Sequence, residues 1–112
     1  MRQFNLEMVQ GDDLRIFVKV RDGQGNSVDL TSAQAISYAV SRGFNDPLLV
    51  VRTLGEGIAL QAADEFFLDI TATNTGSLDA GRYRHEAEVI TSGGFVYTIF
   101  QGLFTIKPQI IK

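Results

Sequence analysis

His85 is the single histidine of the chain, and cysteine is absent. Imidazole titrates closer to neutral pH than any other ordinary side chain, so His85 is the first residue to weigh for proton-transfer chemistry. A multi-histidine metal site cannot be built around it, and thiol catalysis and thiolate metal centres are excluded with it. General-base work would also need a partner within hydrogen-bond reach inside a cleft. Tyr83, His85, Ala87 and Val89 instead recur at every second position, which sets His85 on the inward face of a strand. The expectation is a core or half-buried histidine with one hydrogen bond and no catalytic role.

The carboxylates offer little more. Asp22-Gly23-Gln24-Gly25-Asn26 opens as a calcium loop opens, but an EF-hand then needs a glycine and, at its end, a bidentate glutamate. Those positions hold Ser27 and Ala33. The segment therefore reads as a hairpin turn, with glycine and asparagine supplying positive φ. Asp12 and Asp13 would form an irregular calcium site only if a distant carboxylate joined them. Gly23-x-Gly25 and Gly55-x-Gly57 do not sit between a strand and a helix, so they are turn glycines and not phosphate cradles. Glu86 and Glu88 share an outer face with Arg82 and Arg84, where exposed ion pairs contribute little. No catalytic residue, cofactor or metal is expected.

The elements that carry these residues are strands. Phe4, Leu6 and Met8 alternate with polar neighbours and predict a first strand ending near Gly11. Leu14, Ile16, Val18 and Val20 point one way while Arg15, Lys19 and Arg21 point the other. Ile36, Tyr38 and Val40 predict a third strand, 48–53 a short fourth stopped by Gly55-Glu56-Gly57, and 66–71 a fifth. The stretch 73–79 has room for a single helical turn. Residues 81–90 and 95–107 form a closing hairpin around Ser92-Gly93-Gly94, and Pro108 ends the sheet because it cannot donate to a ladder.

Leu78-Asp79-Ala80-Gly81-Arg82-Tyr83 gives these strands a frame. An Asp-x-Gly-x-Tyr run entering a strand is the sequence form of a tyrosine corner, in which the hydroxyl returns to the backbone a few residues upstream. Asp79, Gly81 and Tyr83 are thus the expected structural corner of an all-β, immunoglobulin-like β-sandwich of about seven antiparallel strands. Residues 1–107 would form the sandwich and 108–112 a short C-terminal tail.

At 112 residues, 45% hydrophobic and 21% charged, the chain suits one domain with its own core. A formal charge of -3 with scattered Lys and Arg argues against a nucleic-acid surface. No apolar run is long enough to span a membrane as a helix, and the alternating N-terminus does not read as a cleaved signal. The apolar residues are more telling. Phe95, Tyr97 and Ile99 alternate with Val96, Thr98 and Phe100, so both faces of the last strand are nearly apolar, and Gly102 invites a bulge. The face bearing Phe95, Tyr97 and Ile99, together with Ile110 and Ile111 of the tail, is the candidate interface with a neighbouring subunit.

Six segments in order along the chain resemble a family of small tailed-phage and prophage structural proteins. That family is related to the immunoglobulin-like domain of baseplate upper proteins. The segments are Gln10-Gly11-Asp12-Asp13-Leu14, Asp22-Gly23, Val28-Asp29-Leu30-Thr31, Gly57-Ile58, Asp79-Ala80-Gly81-Arg82-Tyr83 and Gly102-Leu103-Phe104-Thr105-Ile106-Lys107-Pro108. The resemblance implies a non-enzymatic virion piece of the tail, baseplate or fibre attachment region, made and assembled in the bacterial host cytoplasm. Its implied partners are other virion structural proteins and further copies of itself, as a trimer or higher ring, without nucleic acid or membrane. A capsid decoration protein is the alternative of the same class. A glycan- or cell-surface-binding module using Phe44 and Asn45 is the alternative of another class, disfavoured by the absence of Trp.

Overall fold

A computed structural model describes residues 2–111. The strands are β1 (Arg2–Gln3), β2 (Leu6–Val9), β3 (Leu14–Lys19), β4 (Ala35–Ser41), β5 (Leu48–Leu54), β6 (Gly57–Ala62), β7 (Glu65–Ile70), β8 (Gly81–Ile90) and β9 (Val96–Lys107). One short helix, α1 (Ala72–Gly76), lies between β7 and β8. Thr71 caps it by accepting from the Asn74 amide, and Asn74 returns the bond to the Thr71 amide. The order across the sheet is β1-β9-β8-β4-β5-β6-β7-β3, with β2 also on β9.

The chain is all-β, but the expected seven antiparallel strands are corrected in two respects. Nine strands occur among the described residues, and three pairings are parallel: β1 with β9, β2 with β9, and β5 with β6. The extra strands arise where turn residues hide a continuation. Phe4-Asn5 divides the first strand into β1 and β2. Gly55-Glu56-Gly57 is a hand-over and not a stop: Gly55 N–H donates to the Ile58 carbonyl at 2.9 Å, and Gly57 takes a φ of 97°. That left-handed backbone is open to glycine and costly for other residues.

Alternation fills the core. Ile36, Tyr38 and Val40 of β4, Phe66, Leu68 and Ile70 of β7, and Phe100, Phe104 and Ile106 of β9 are all buried in one cluster. Burying a side chain of this size contributes about 1.5–3 kcal/mol relative to leaving it exposed. The sheet curls around that cluster so far that its two ends, β3 and the start of β9, border a common groove. The molecule is elongated, 44 × 26 × 22 Å along its principal axes.

Candidate functional site

Three places hold the residues singled out from the sequence. The first is the corner. Tyr83 is buried at the start of β8, and its hydroxyl donates to the Asp79 carbonyl at 2.7 Å. The bond closes the turn carrying Asp79 and Gly81 against the strand that follows. Arg42 lies 5.1 Å from the Tyr83 ring centroid and 3.8 Å from the Asp79 carboxylate.

The second place is His85, which is 3% exposed and makes two hydrogen bonds where one was expected. Its Nε2 lies 2.7 Å from the Phe4 carbonyl, which can only accept, so Nε2 carries the proton. Nδ1 lies 2.9 Å from the Tyr38 hydroxyl and therefore accepts from it. Neutral imidazole satisfies both partners. Burial pushes its pKa below the ordinary value, partly offset by the bond to Phe4. Burial also holds the Tyr38 phenol well above its ordinary value, so it stays protonated. Phe4 stacks on the imidazole at 5.8 Å, and Phe100 and Phe104 close round it at 5.1 and 5.8 Å. This is a wired aromatic core, with its polar atoms satisfied internally.

Gly102 faces His85 directly across the β8–β9 ladder. The expectation of a bulge there is corrected. A Cβ at Gly102 would fall 1.9 Å from the Phe4 carbonyl oxygen, so the glycine leaves space for the β1–β2 connection to lean over β9 toward His85. Asn5 fixes the same connection by accepting from the Leu103 amide at 3.0 Å. The bulge lies instead at Ile99, since Ala87 pairs with Phe100 while the next residue, Glu88, pairs with Thr98.

That extra residue reverses the alternation of β9 and re-aims the candidate interface, the third place. Tyr97 lies opposite the buried Val89 and so shares the core side of the sheet. Ile99 is half-buried and packs on the core. The expected outer face of Phe95, Tyr97 and Ile99 is therefore corrected. Tyr97 and Ile99 line the groove between β9 and β3, about 420 Å³ in volume, while Phe95 is exposed in the hairpin turn. Ile110 and Ile111 are exposed beyond the opposite end of β9, so the two halves of the candidate interface do not come together.

The charged candidates are accounted for locally. The Asp22 carboxylate accepts from the amides of Asn26 and Gln24 at 2.9 and 2.8 Å, which holds it below the usual carboxylate range. Asp13 accepts from the Ala72 amide at the start of α1. Among the described residues no cluster of three or more His, Cys, Asp and Glu side chains is placed to hold a metal ion. Glu86 accepts from Gln101 at 3.0 Å, and Arg84 lies over the Phe44 ring at 4.6 Å. The expected pairing of Glu86 and Glu88 with Arg82 and Arg84 does not form among the described residues. On the outer face of β3, Arg15 makes a two-bond contact with Asp69 at 2.6 and 2.9 Å.

No family model matches the chain, and no curated protein sequence matches it. Solved structures do. An endo-beta-1,4-mannanase from Thermotoga petrophila superposes with a TM-score of 0.58 over 94% of this chain, at 10% identity. The chain spans 18% of the length of that mannanase. CopC from Methylosinus trichosporium OB3b superposes with a TM-score of 0.52 over 96% of this chain and 88% of its own, at 20% identity. At such identities the likeness is one of fold.

Proposed function

We propose that the chain is an immunoglobulin-like β-sandwich that acts without catalysis, as an assembly piece of a tailed phage or prophage particle. In this reading β9, β8, β4 and β5, with β1 and β2 alongside β9, form one layer and β6, β7 and β3 the other. The brief parallel contact of Thr53 with Gly57 and Leu54 with Ile58 is then the point where the chain changes layers. The closed turn at Tyr83 and Asp79 supports this arrangement.

The observation that carries the functional reading is the placing of apolar surface. His85 and Tyr38 satisfy each other inside the core, while Tyr97, Phe95, Ile110 and Ile111 stay open to solvent at two ends of one strand. Apolar surface left open in this way marks an interaction site. Strands closed around a common core suit a piece that repeats in a symmetric particle. Its partners are further copies of itself, as a trimer or higher ring, and other virion proteins, with assembly in the host cytoplasm. Size-exclusion chromatography with light scattering at micromolar concentration tests the self-association: a defined oligomer is expected, and a monomer at every concentration refutes it. Mass spectrometry of purified tailed particles tests the location, and absence of the chain from them refutes the virion assignment.

A further inference from the structure

We infer that the groove between β3 and the start of β9 accepts an added strand, and that its occupant is the 108–111 segment of a second copy of this chain. The inference rests on the assembly reading above and names its interface. The groove is lined by every residue from 16 to 23 and from 97 to 100. A sheet face contributes every second residue of a strand, because side chains alternate. Residues 16–19 and 97–100 are consecutive within their strands, so the groove follows the strand edges, where backbone donors and acceptors line the walls.

Both edges are open among the described residues. β3 pairs only with β7 over residues 14–19, whereas residues 20–22 are closed by their own hairpin to 26–28. On β9, Arg2 and Gln3 of β1 pair with Phe100 and Gln101, and among the described residues 96–98 have partners on the β8 side alone, with Ile99 the bulge. An open edge is a template for a further strand, whose backbone supplies affinity while alternate side chains supply selectivity. Here the groove offers apolar contact at two levels. Ile16, Val18, Val28 and Ile99 are half-buried against the core below, and Phe17 and Tyr97 are exposed at the rim.

The 108–111 segment fits this double demand. Pro108 ends pairing in its own sheet. Ile110 is 95% exposed and Ile111 83%. Adjacent residues of an extended strand point to opposite sides, so one isoleucine enters the groove while the other covers the rim. The donor cannot be the same molecule. Ile111 lies four residues beyond Lys107, a reach of about 14 Å, whereas Phe100 and Tyr97 lie about 23 Å and about 30 Å back along β9. Donor and acceptor therefore occupy opposite ends of one molecule. Such an interface is head-to-tail and closes as a ring or runs on as a filament.

The test uses two full-length variants. Phe17→Lys/Tyr97→Lys changes only exposed rim side chains and blocks the acceptor; Ile110→Asp/Ile111→Asp blocks the donor. Circular dichroism confirms that each is folded. The expected result by light scattering is an oligomeric wild type, two monomeric variants, and a dimer when the variants are mixed in equal amounts. The amides of Arg15, Phe17 and Lys19, which point away from β7, gain protection from hydrogen exchange in the mixture and not in either variant alone. If the wild type is oligomeric and both variants remain so, the strand-addition proposal is overturned while assembly through another face stands. If variants are monomeric but the mixture does not form a dimer, the interface is not head-to-tail and the proposal is overturned. A wild type that stays monomeric to submillimolar concentration overturns both this proposal and self-assembly.

Discussion

Replacing His85 by Phe tests the wiring of the core more directly than any other change. The ring volume is nearly kept, and the aromatic neighbours at 5.1 to 5.8 Å remain. What disappears is the donor to the Phe4 carbonyl and the acceptor of the Tyr38 hydroxyl. A buried polar group stripped of its partner costs about 1–3 kcal/mol. Tyr38 is fully buried and carries the full penalty, whereas the bond to Phe4 is part-buried and carries the lower half. The sum is a loss of about 2–5 kcal/mol. At a urea slope of about 2 kcal/mol/M, the middle of the range for small proteins, that loss lowers the midpoint by about 1–2.5 M. Tyr38→Phe added to His85→Phe removes the stranded hydroxyl and restores about 1–2 kcal/mol, although Tyr38→Phe alone destabilises. Urea unfolding of the wild type, both single variants and the double variant at pH 8 gives the whole cycle. A His85→Phe protein within about 0.5 kcal/mol of wild type, or two single losses that simply add, would refute the assignment of these two bonds.

The same histidine sets a pH dependence. Its pKa is lowered on folding, so the unfolded chain takes up a proton first as pH falls through about 6.5. Stability is full above that value and falls below it by up to about 1.4 kcal/mol per pH unit until the lower folded pKa is reached; His85→Phe is expected to flatten thermal melts across that window, and an unchanged slope counts against a neutral buried histidine. Gly102→Ala forces the Phe4 carbonyl away from its place over β9 and is expected to cost about 1–3 kcal/mol or more. Hydrogen exchange should then show the Phe4 amide, bonded to the Gln101 carbonyl at 2.9 Å in the wild type, losing its protection; a melt matching wild type would show that the connection has slack. Tyr83→Phe removes the bond to the Asp79 carbonyl at a cost of about 1 kcal/mol, measured as a lower urea midpoint with unchanged slope, and no shift would show that the turn closes without it.

Strands with one buried face were legible because their alternation has a definite phase. Tyr83, His85, Ala87 and Val89 located β8, and the Asp-x-Gly-x-Tyr run located the turn before it. The phase of β9 was not legible. From Phe95 to Phe100 nearly every residue is apolar, so nothing in the pattern marks Ile99 as the additional one. β6 was missed because its flanking glycines resemble an ending, and only the bond from Gly55 to Ile58 shows that pairing resumes. Parallel partners leave no local trace, so the placing of β1 and β2 beside β9 could not be read. His85 looked like an isolated core residue because its second partner is a backbone carbonyl 81 residues away. The groove was hidden for the same reason, since its walls come from the two ends of the curled sheet.

The close approach of Phe4 to Gly102 also bears on how the protein is made. β9 is the strand on which β1, β2 and β8 all converge, and it follows the other strands of the described residues in order of synthesis. Until residue 107 has emerged from the ribosome, Leu6 and Met8 have no ladder to join and His85 has no carbonyl to hold. β1 and β2 wait for β9, so this edge of the sheet closes only after β9 has been translated. Contacts this distant in sequence place folding on the millisecond-to-second scale typical of nonlocal β topologies. During that interval the unpaired early strands are the part of the nascent chain most open to a chaperone.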